Sequence, residues 1–297
     1  MSNITSIPSG GDDSQYGYTP SHSIGILFVV LFGLSTILHA GQATYYRMWW
    51  LFPTACLCGV GELLGWSGRL WSSSYPSLDD PYMMQITATI ISPTPLIAVN
   101  FVLLSRIVQR LGVCYSRVSA RWYTIIFLSC DIVALVIQGA GGGLAATADD
   151  RAGTQMGANI MLAGIAFQFA AIVMYTLCAL EFLRRYTRDL PVGGTAPLGA
   201  GKPPLTLRLR LMISALAFST LVLFIRSVYR IVELSGGWNG PVIQTEVYFN
   251  VLDGGMVVLA IFTMNFAHPG LLLGTDVADG VAEKQVESMA STGTLTA

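Results

Sequence analysis

The sequence predicts an all-α membrane protein, a bundle of seven transmembrane helices. Three observations support this. Hydrophobic residues make up 53% of the chain and charged residues only 11%. The mean hydropathy is +0.59. Seven mostly apolar stretches follow one another, each about 20 residues long, the length that crosses the hydrocarbon core of a bilayer as a helix. An ordinary soluble globule does not have this composition.

The seven predicted spans are joined by short connections, so the 297 residues leave no room for a separate soluble domain. They cover residues 23–43, 49–69, 84–106, 122–146, 157–182, 209–233 and 247–267. The polar sequences before and after them cannot bury enough apolar surface to fold alone. We therefore expect a disordered extracellular segment (1–22), a seven-span domain (23–270) and a disordered cytoplasmic tail (271–297).

Several spans carry local signals of their own. The first follows 22 residues without Lys or Arg, and we expect it to insert as its own signal. In the third, Pro93 and Pro95 remove backbone donors and predict a kink. Pairs of glycines four residues apart predict close helix contacts. These pairs are Gly61 and Gly65, Gly139 and Gly143, and Gly153 and Gly157.

The distribution of Lys and Arg predicts the orientation of the bundle. The first, third and fifth connections and the tail contain twelve of these residues, whereas the opposite side contains only Arg151. Positive residues near span ends are retained on the cytoplasmic side. The N-terminus is therefore predicted to lie outside and the C-terminus inside. The glycosylation sequon Asn3-Ile4-Thr5 agrees with an outer N-terminal segment.

Polar and charged residues inside or at the ends of four spans form the candidate substrate-binding site. Residues seven apart lie on nearly one helix face, so each of these spans presents a polar stripe. The nine residues are Glu62 and Arg69; Asp131 and Gln138; Arg226, Arg230 and Glu233; and Glu246 and Asp253. Charges within lipid are costly and face the bundle interior. We predict that the nine converge on one outward-opening cavity; the alternative is salt bridges that hold the helices together.

Other classes of function find no support in the sequence. A net charge of −1, with basic residues at span ends, argues against nucleic-acid binding. Gly201-Lys202-Pro203 lacks the spacing of a phosphate loop, and the histidines are scattered over different depths, so neither a cofactor nor a metal is expected. No G-x-S-x-G motif occurs. The sequence therefore does not predict an enzyme.

The order of motifs resembles that of the fungal lipid-translocating exporters, the RTA-like seven-span proteins. The motifs are Glu62-x-x-Gly65-Trp66-x-x-Arg69, Ser92-Pro93, Asp131-Ile132-Val133-x-x-x-x-Gln138-x-x-Gly141-Gly142, Gln168, Arg226-Ser227-x-Tyr229-Arg230-x-x-Glu233, Glu246-x-x-x-x-x-x-Asp253 and His268-Pro269-Gly270. They extend from the second span through the seventh. The chain departs from the family at Trp66, where Tyr is common, and at Ser92, where Ala is common.

The resemblance implies an integral protein of the plasma membrane, with the vacuole or another endomembrane as the alternative. It also implies a transporter of sphingoid bases or related amphipathic compounds that contributes to resistance to membrane-active toxins. The partners would be membrane lipids or amphipathic small molecules, and the sequence does not specify an oligomeric state. In this hypothesis a cationic head group engages Asp131, Asp253 or Glu62, and Arg226 and Arg230 balance the acids. The competing hypothesis is a seven-span lipid sensor or receptor.

Overall fold

The computed structural model describes residues 16–148, 150–192, 202–236 and 240–274, and every regular element in these ranges is helical. Six helices in this part are long and apolar enough to cross a membrane. They are His22–Tyr45, Asp79–Leu111, Ala120–Thr147, Arg151–Thr187, Leu207–Ser235 and Glu246–Leu272. The prediction of an all-α membrane protein is confirmed, whereas the count of seven spans and the orientation stay predictions.

The first two helical segments pack against each other. Helix α1 (His22–Tyr45) is followed by a 3₁₀ turn (Trp49–Leu51), a π-helical turn (Phe52–Cys56) and α2 (Leu57–Ser74). Together the last three form one helical segment over the second predicted span. Helix α2 is not among the six apolar helices. It contains buried Glu62 and Arg69 and ends in three serines, and these residues lower its hydropathy.

The third segment consists of two helices next to the prolines for which the sequence predicts a kink. Helix α3 (Asp79–Ile91) ends two residues before Pro93, where α4 (Pro93–Leu111) begins, and Ser92 lies between them. The helical region starts five residues before the predicted span. Its extra first turn contains Asp79 and Asp80, and acidic side chains are favourable near the positive end of a helix dipole.

Helices α5 (Ala120–Thr147) and α6 (Arg151–Thr187) share the most extensive contact among the described helices. A Cβ added to Gly141 would lie 2.7 Å from the carbonyl oxygen of Gly157. The prediction for Gly139 and Gly143 was wrong, because a Cβ at either one would meet nothing within 4 Å. At about 55 Å, the 37 residues of α6 exceed the hydrocarbon core, so its polar ends project beyond it.

The last two segments complete the bundle. Helix α7 (Leu207–Ser235) is capped by Thr206, whose hydroxyl accepts a hydrogen bond from the Leu209 N–H. The final segment consists of α8 (Glu246–Tyr248), a π-helical stretch (Phe249–Gly255), α9 (Met256–Phe266) and α10 (Pro269–Leu272). The π-helical stretch carries Asp253, and single π turns inside helices are frequent at functional sites.

The described end of the N-terminal segment contacts the helices, whereas disorder over 1–22 as a whole stays a prediction. Tyr16 is only 4% exposed and lies against Tyr82 of α3, with the ring planes nearly perpendicular. Its aromatic ring supplies the apolar surface that the surrounding Ser, Gly and Pro residues lack. Residues 1–15, the tail from residue 275 and most of the linker between α6 and α7 lie outside the described residues.

The bundle is apolar outside and partly polar inside. Large apolar side chains such as Val30, Ile37, Val136 and Leu180 are exposed on the helix faces. Exposed apolar surface of this extent is typical of a surface that contacts lipid. Buried polar and charged residues, in contrast, lie where the helices contact one another. This arrangement positions the candidate site inside the bundle.

Candidate substrate site

Arg230 on α7 is the centre of the largest charged group, and its side chain is 1% exposed. Its Nε and Nη2 atoms donate to the two carboxylate oxygens of Asp253 at 2.7 and 2.6 Å. Its Nη1 donates to Glu233 Oε2 at 2.7 Å, and Nη2 also donates to Thr89 Oγ1 at 2.8 Å. A guanidinium has five N–H donors in a planar fork, which suits these bidentate contacts.

Arg226 lies one helical turn before Arg230 and faces the same carboxylate. Its Nε is 2.9 Å from Asp253 Oδ1, and its Nη2 donates to the Thr89 carbonyl oxygen at 2.5 Å. Glu233 has a further partner in the Tyr229 hydroxyl, which donates to its Oε1 at 2.8 Å. Helix α7 therefore connects α3 and the π-helical stretch by charge-assisted hydrogen bonds.

Glu62 on α2 is the third carboxylate of this group, and its side chain is fully buried. It interacts electrostatically with Asp253, Arg226 and Arg230. Neither of its oxygens, however, makes a hydrogen bond of standard geometry with a described residue. We call Glu62, Arg226, Arg230, Glu233 and Asp253 the central cluster. When every member is ionised, the cluster has three negative charges and two positive ones.

A second group surrounds Arg69, two turns along α2 from Glu62. Its Nη2 lies 3.2 Å from Glu246 Oε1 and donates to the Tyr18 hydroxyl at 3.0 Å. Its guanidinium carbon lies 4.7 Å from the centre of the Phe249 ring. The opposed charges of Arg69 and Glu246 balance each other. We call this group the Arg69 cluster.

The N-terminal segment covers the Arg69 cluster. The Tyr16 hydroxyl donates to Gln85 Oε1 at 2.6 Å, and the Ser21 N–H donates to Glu246 Oε1 at 2.8 Å. Burial raises the pKa of Tyr16 to about 12, because the phenolate would lose its hydration. The hydroxyl therefore stays protonated at neutral pH and keeps its role as a donor.

The two clusters meet at the ring of Phe249. The guanidinium carbon of Arg230 lies 5.2 Å from the ring centre, and that of Arg69 lies 4.7 Å from it. Cations close to an aromatic face are attracted by its quadrupole. The structure thus brings seven of the nine predicted residues into one connected region. They are Glu62, Arg69, Arg226, Arg230, Glu233, Glu246 and Asp253.

The remaining two predicted residues lie in a separate polar group. Gln138 on α5 donates to Gln168 Oε1 at 2.9 Å, and Gln168 donates to Thr94 Oγ1 at 3.0 Å. Asp131 is 1% exposed and interacts with the Gln168 amide without a hydrogen bond of standard geometry. These residues join α4, α5 and α6 rather than α2 and α7.

Sequence reasoning missed several residues that complete these clusters. The carbonyl and hydroxyl oxygens of Thr89 accept hydrogen bonds from Arg226 and Arg230. Gln85 contacts Tyr16, and Phe249 lies between the guanidinium groups of Arg69 and Arg230. Thr and Phe are common inside membrane helices, so neither stood out in the sequence. Gln85 carried a usable signal, because an amide inside a predicted span requires a polar partner.

Six of the seven connected residues are buried, and Glu246 is partly exposed. Arg69, Arg230, Glu233 and Asp253 are at most 1% exposed, and Arg226 is 5% exposed. The buried arginines are held by ion pairs and hydrogen bonds to neighbouring helices. A head group could reach Glu62 only after α2, α7 or the N-terminal segment shifts. The outward-opening cavity stays a prediction about another conformation.

Comparison with known proteins relates the chain to one family. Residues 55–276 match the family described as "RTA1 like protein". The sphingoid long-chain base transporter RSB1 of Saccharomyces cerevisiae is 29% identical over 289 residues, which cover 88% of this chain and 75% of that protein. Protoporphyrin uptake protein 1 of the same species is 25% identical, with coverage of 84% and 90%. Protein RTM1 is 26% identical, with coverage of 85% and 90%.

Proposed function

This chain belongs to the RTA1-like family, and we propose that it is a membrane transporter that moves an amphipath with a cationic head group across the bilayer. Two of the similar proteins are named for transport or uptake, one of them for sphingoid long-chain bases. The names of these similar proteins support the general role of an integral membrane transporter rather than an enzyme. A sphingoid base, which combines one amine with one long hydrocarbon chain, is the substrate that we propose.

The observation that carries this proposal is the surplus carboxylate of the central cluster. Asp253 pairs with both arginines and Glu233 pairs with Arg230, whereas Glu62 lacks a hydrogen bond of standard geometry among the described residues. Its electrostatic partners are the Trp66 side chain and the two arginines, which Asp253 and Glu233 already share. A buried carboxylate that lacks a cation of its own is costly. A protonated amine entering beside Glu62 would neutralise the third acid and satisfy its oxygens. Asp131 would provide a second carboxylate for a head group on the side of α5.

Arg226 and Arg230 have a complementary role in this mechanism. They hold Asp253 and Glu233, so that these acids do not compete with Glu62 for the cation. The sequence offers no nucleotide site, so we propose that transport uses an ion gradient or exchange. We also propose a location in the plasma membrane, where export of such amphipaths would contribute to resistance to membrane-active toxins.

Reconstitution into liposomes tests the proposal. The purified protein should accelerate the movement of a fluorescent sphingoid base between leaflets. Glu62→Gln keeps the side-chain shape, removes the surplus charge and should slow this movement at least tenfold. The matched control is Glu181→Gln, which changes a carboxylate that pairs with Arg117 and Arg185 at a distant end of α6.

Two results would contradict the proposal. In the first, the wild-type protein changes neither leaflet distribution nor efflux, with or without a proton gradient. In the second, Glu62→Gln transports as well as the wild type. Melting temperature and monodispersity in detergent should be measured for both variants. An equal loss of folded protein and of transport in Glu62→Gln would favour a purely structural role for the cluster.

A lipid sensor is the second candidate, and the closed central cluster favours it. A sensor needs one closed pocket whose occupation changes the helix arrangement. The buried ion pairs would hold the helices in the unoccupied arrangement. The liposome experiment separates the two functions. Saturable binding of the sphingoid base without movement between leaflets would support the sensor, whereas binding with movement would support the transporter.

A further inference from the structure

Pro93 leaves one backbone oxygen of the third helical segment without its usual donor. In an uninterrupted α-helix, the carbonyl oxygen of residue 89 accepts a hydrogen bond from the N–H of residue 93, four positions later. Proline has no N–H, so Pro93 cannot supply this bond. The backbone of Ser92 is nevertheless helical, with φ of −58° and ψ of −38°. The chain thus keeps its helical direction here, and the Thr89 carbonyl oxygen is a free acceptor.

Arg226 supplies the missing donor. Its Nη2 donates to the Thr89 carbonyl oxygen at 2.5 Å, in the last turn of α3. A guanidinium is favourable at this place, because the unpaired carbonyl groups at the end of a helix carry partial negative charge. Both residues are buried. A hydrogen bond from a charged donor is stronger than the amide bond that Pro93 removes.

The same arginine faces the surplus carboxylate of α2. Arg226 interacts electrostatically with Glu62 and with Cys58, which lie one turn apart on that helix. Neither oxygen of Glu62 accepts a hydrogen bond of standard geometry from a described residue. If Arg226 turned towards Glu62, the buried Thr89 carbonyl oxygen would lose its donor, which is costly. The Thr89 carbonyl oxygen therefore competes with Glu62 for the Arg226 Nη2 atom.

We propose that Pro93 is a positioning residue of the substrate site: it frees the Thr89 carbonyl oxygen, which holds Arg226 and so keeps Glu62 available for the cationic head group. The inference rests on the proposed function and adds to it the residue that determines which acceptor Arg226 binds. Pro93 has this role because it lacks an N–H, and it acts through Arg226 without contacting the substrate. The alternative is a proline that only bends the helix.

Restoring the N–H tests the proposal. In Pro93→Ala the new amide competes with Arg226 for the Thr89 carbonyl oxygen, and we expect Arg226 to pair with Glu62. In liposomes, the half-saturating concentration of a fluorescent sphingoid base should rise about tenfold, while the maximal rate changes less than about twofold, the pattern of lost substrate binding. Pro95→Ala is the matched control, because its new N–H faces the carbonyl of Ile91, whereas Arg226 binds that of Thr89. Equal rises in the two variants would overturn the proposal and assign the effect to straightening of the helix.

A double substitution shows whether Pro93 acts through Arg226. In the Arg226→Gln background, Asp253 keeps both of its bonds to Arg230, and the Thr89 carbonyl oxygen has lost its guanidinium. Adding Pro93→Ala should then change the half-saturating concentration less than about twofold, because the contact that it replaces is already absent. The same rise in both backgrounds would overturn the proposal.

Chemical labelling of Glu62 reports on the same contact without a transport measurement. Dicyclohexylcarbodiimide modifies buried carboxyl groups that can take up a proton, whereas an ion pair with Arg226 would keep Glu62 ionised. Mass spectrometry of peptides from α2 should show Glu62 labelled to the same extent in the wild type and Pro95→Ala, and several-fold less in Pro93→Ala. Equal labelling of the three proteins, at any level, would overturn the proposal.

The outcomes distinguish this inference from the proposed function. Should the wild type transport the base and Pro93→Ala match it in half-saturating concentration and in labelling, the role of Pro93 is wrong while the transporter stands. Should the wild type fail to transport, the transporter proposal fails, and the labelling of Glu62 still decides whether Pro93 determines the partner of Arg226.

Discussion

Arg230 illustrates how single side chains make a charged interior tolerable in lipid. Its guanidinium contacts Asp253, Glu233 and Thr89, so each charge has partners on another helix or turn. A buried ion pair contributes little net stability, because desolvation of the two charges offsets their attraction. Removing one partner is different, since the other charge then stays buried and unpaired. The central cluster therefore determines which helices meet more than how stable the bundle is.

Replacing Arg230 should show this asymmetry. We expect Arg230→Met to lower the free energy of unfolding by about 3–5 kcal/mol, because Asp253 and Glu233 lose their shared cation. Arg230→Lys should cost less, since it keeps the charge and loses only the planar fork. Thermal unfolding in detergent checks both variants, with exposed Arg121→Met as the control. Stability equal to the wild type in Arg230→Met would mean that these ion pairs are not formed in the bilayer.

For single side chains, the sequence predicted part of the candidate substrate site. The periodicity of α7 correctly placed Arg226, Arg230 and Glu233 on one face, because their spacing fixes their directions from the helix axis. The same reasoning grouped Asp131 with them, although Asp131 lies with Gln168 instead. Periodicity gives the direction of a side chain on its own helix. It does not give the neighbouring helix, which depends on packing between elements.

The contact between α5 and α6 shows how packing determines which helix faces lie against each other. The backbones approach closely at Gly141 and Gly157, where a Cβ would lie within 3 Å of main-chain atoms. The pattern of four-residue spacing selected Gly157, but on α5 it selected Gly139 and Gly143 and missed Gly141. Three consecutive glycines present all faces of the helix, so composition could not identify the face that contacts α6. The positions of the helical segments were better predicted, because each predicted span is a long apolar run and lies over a helical segment.

A pair of alanine substitutions tests this interface. Gly141→Ala should destabilise the bundle by roughly 1–3 kcal/mol, because the new methyl group would overlap main-chain atoms of α6 and force the helices apart. Gly139→Ala is the matched control two residues away, since its Cβ would meet nothing within 4 Å. Thermal unfolding and the yield of monodisperse protein are the measurements. Equal behaviour of the two variants would contradict the close contact.

The whole molecule joins an apolar exterior to a charged interior, and the amphipath that we propose has the same two parts. Its chain matches the apolar helix faces and its amine matches the surplus carboxylate of the central cluster. The N-terminal segment covers the Arg69 cluster, where Tyr16 and Ser21 contact Gln85 and Glu246. It is therefore a barrier to a substrate that leaves on this side. Export would then require this segment to move after the head group has reached Glu62. The side on which it lies therefore matters for the direction of transport.

The orientation of the bundle is testable in intact cells. Twelve Lys and Arg on one side of the spans against Arg151 on the other predict an outer N-terminus and a cytoplasmic C-terminus. An epitope added at residue 1 should bind antibody on intact spheroplasts, whereas one added after residue 297 should bind only after permeabilisation. A cytosolic marker is the control for leakage. The reverse pattern would place the N-terminal segment and the Arg69 cluster at the cytoplasmic face. In that orientation the same contacts would describe uptake instead of export.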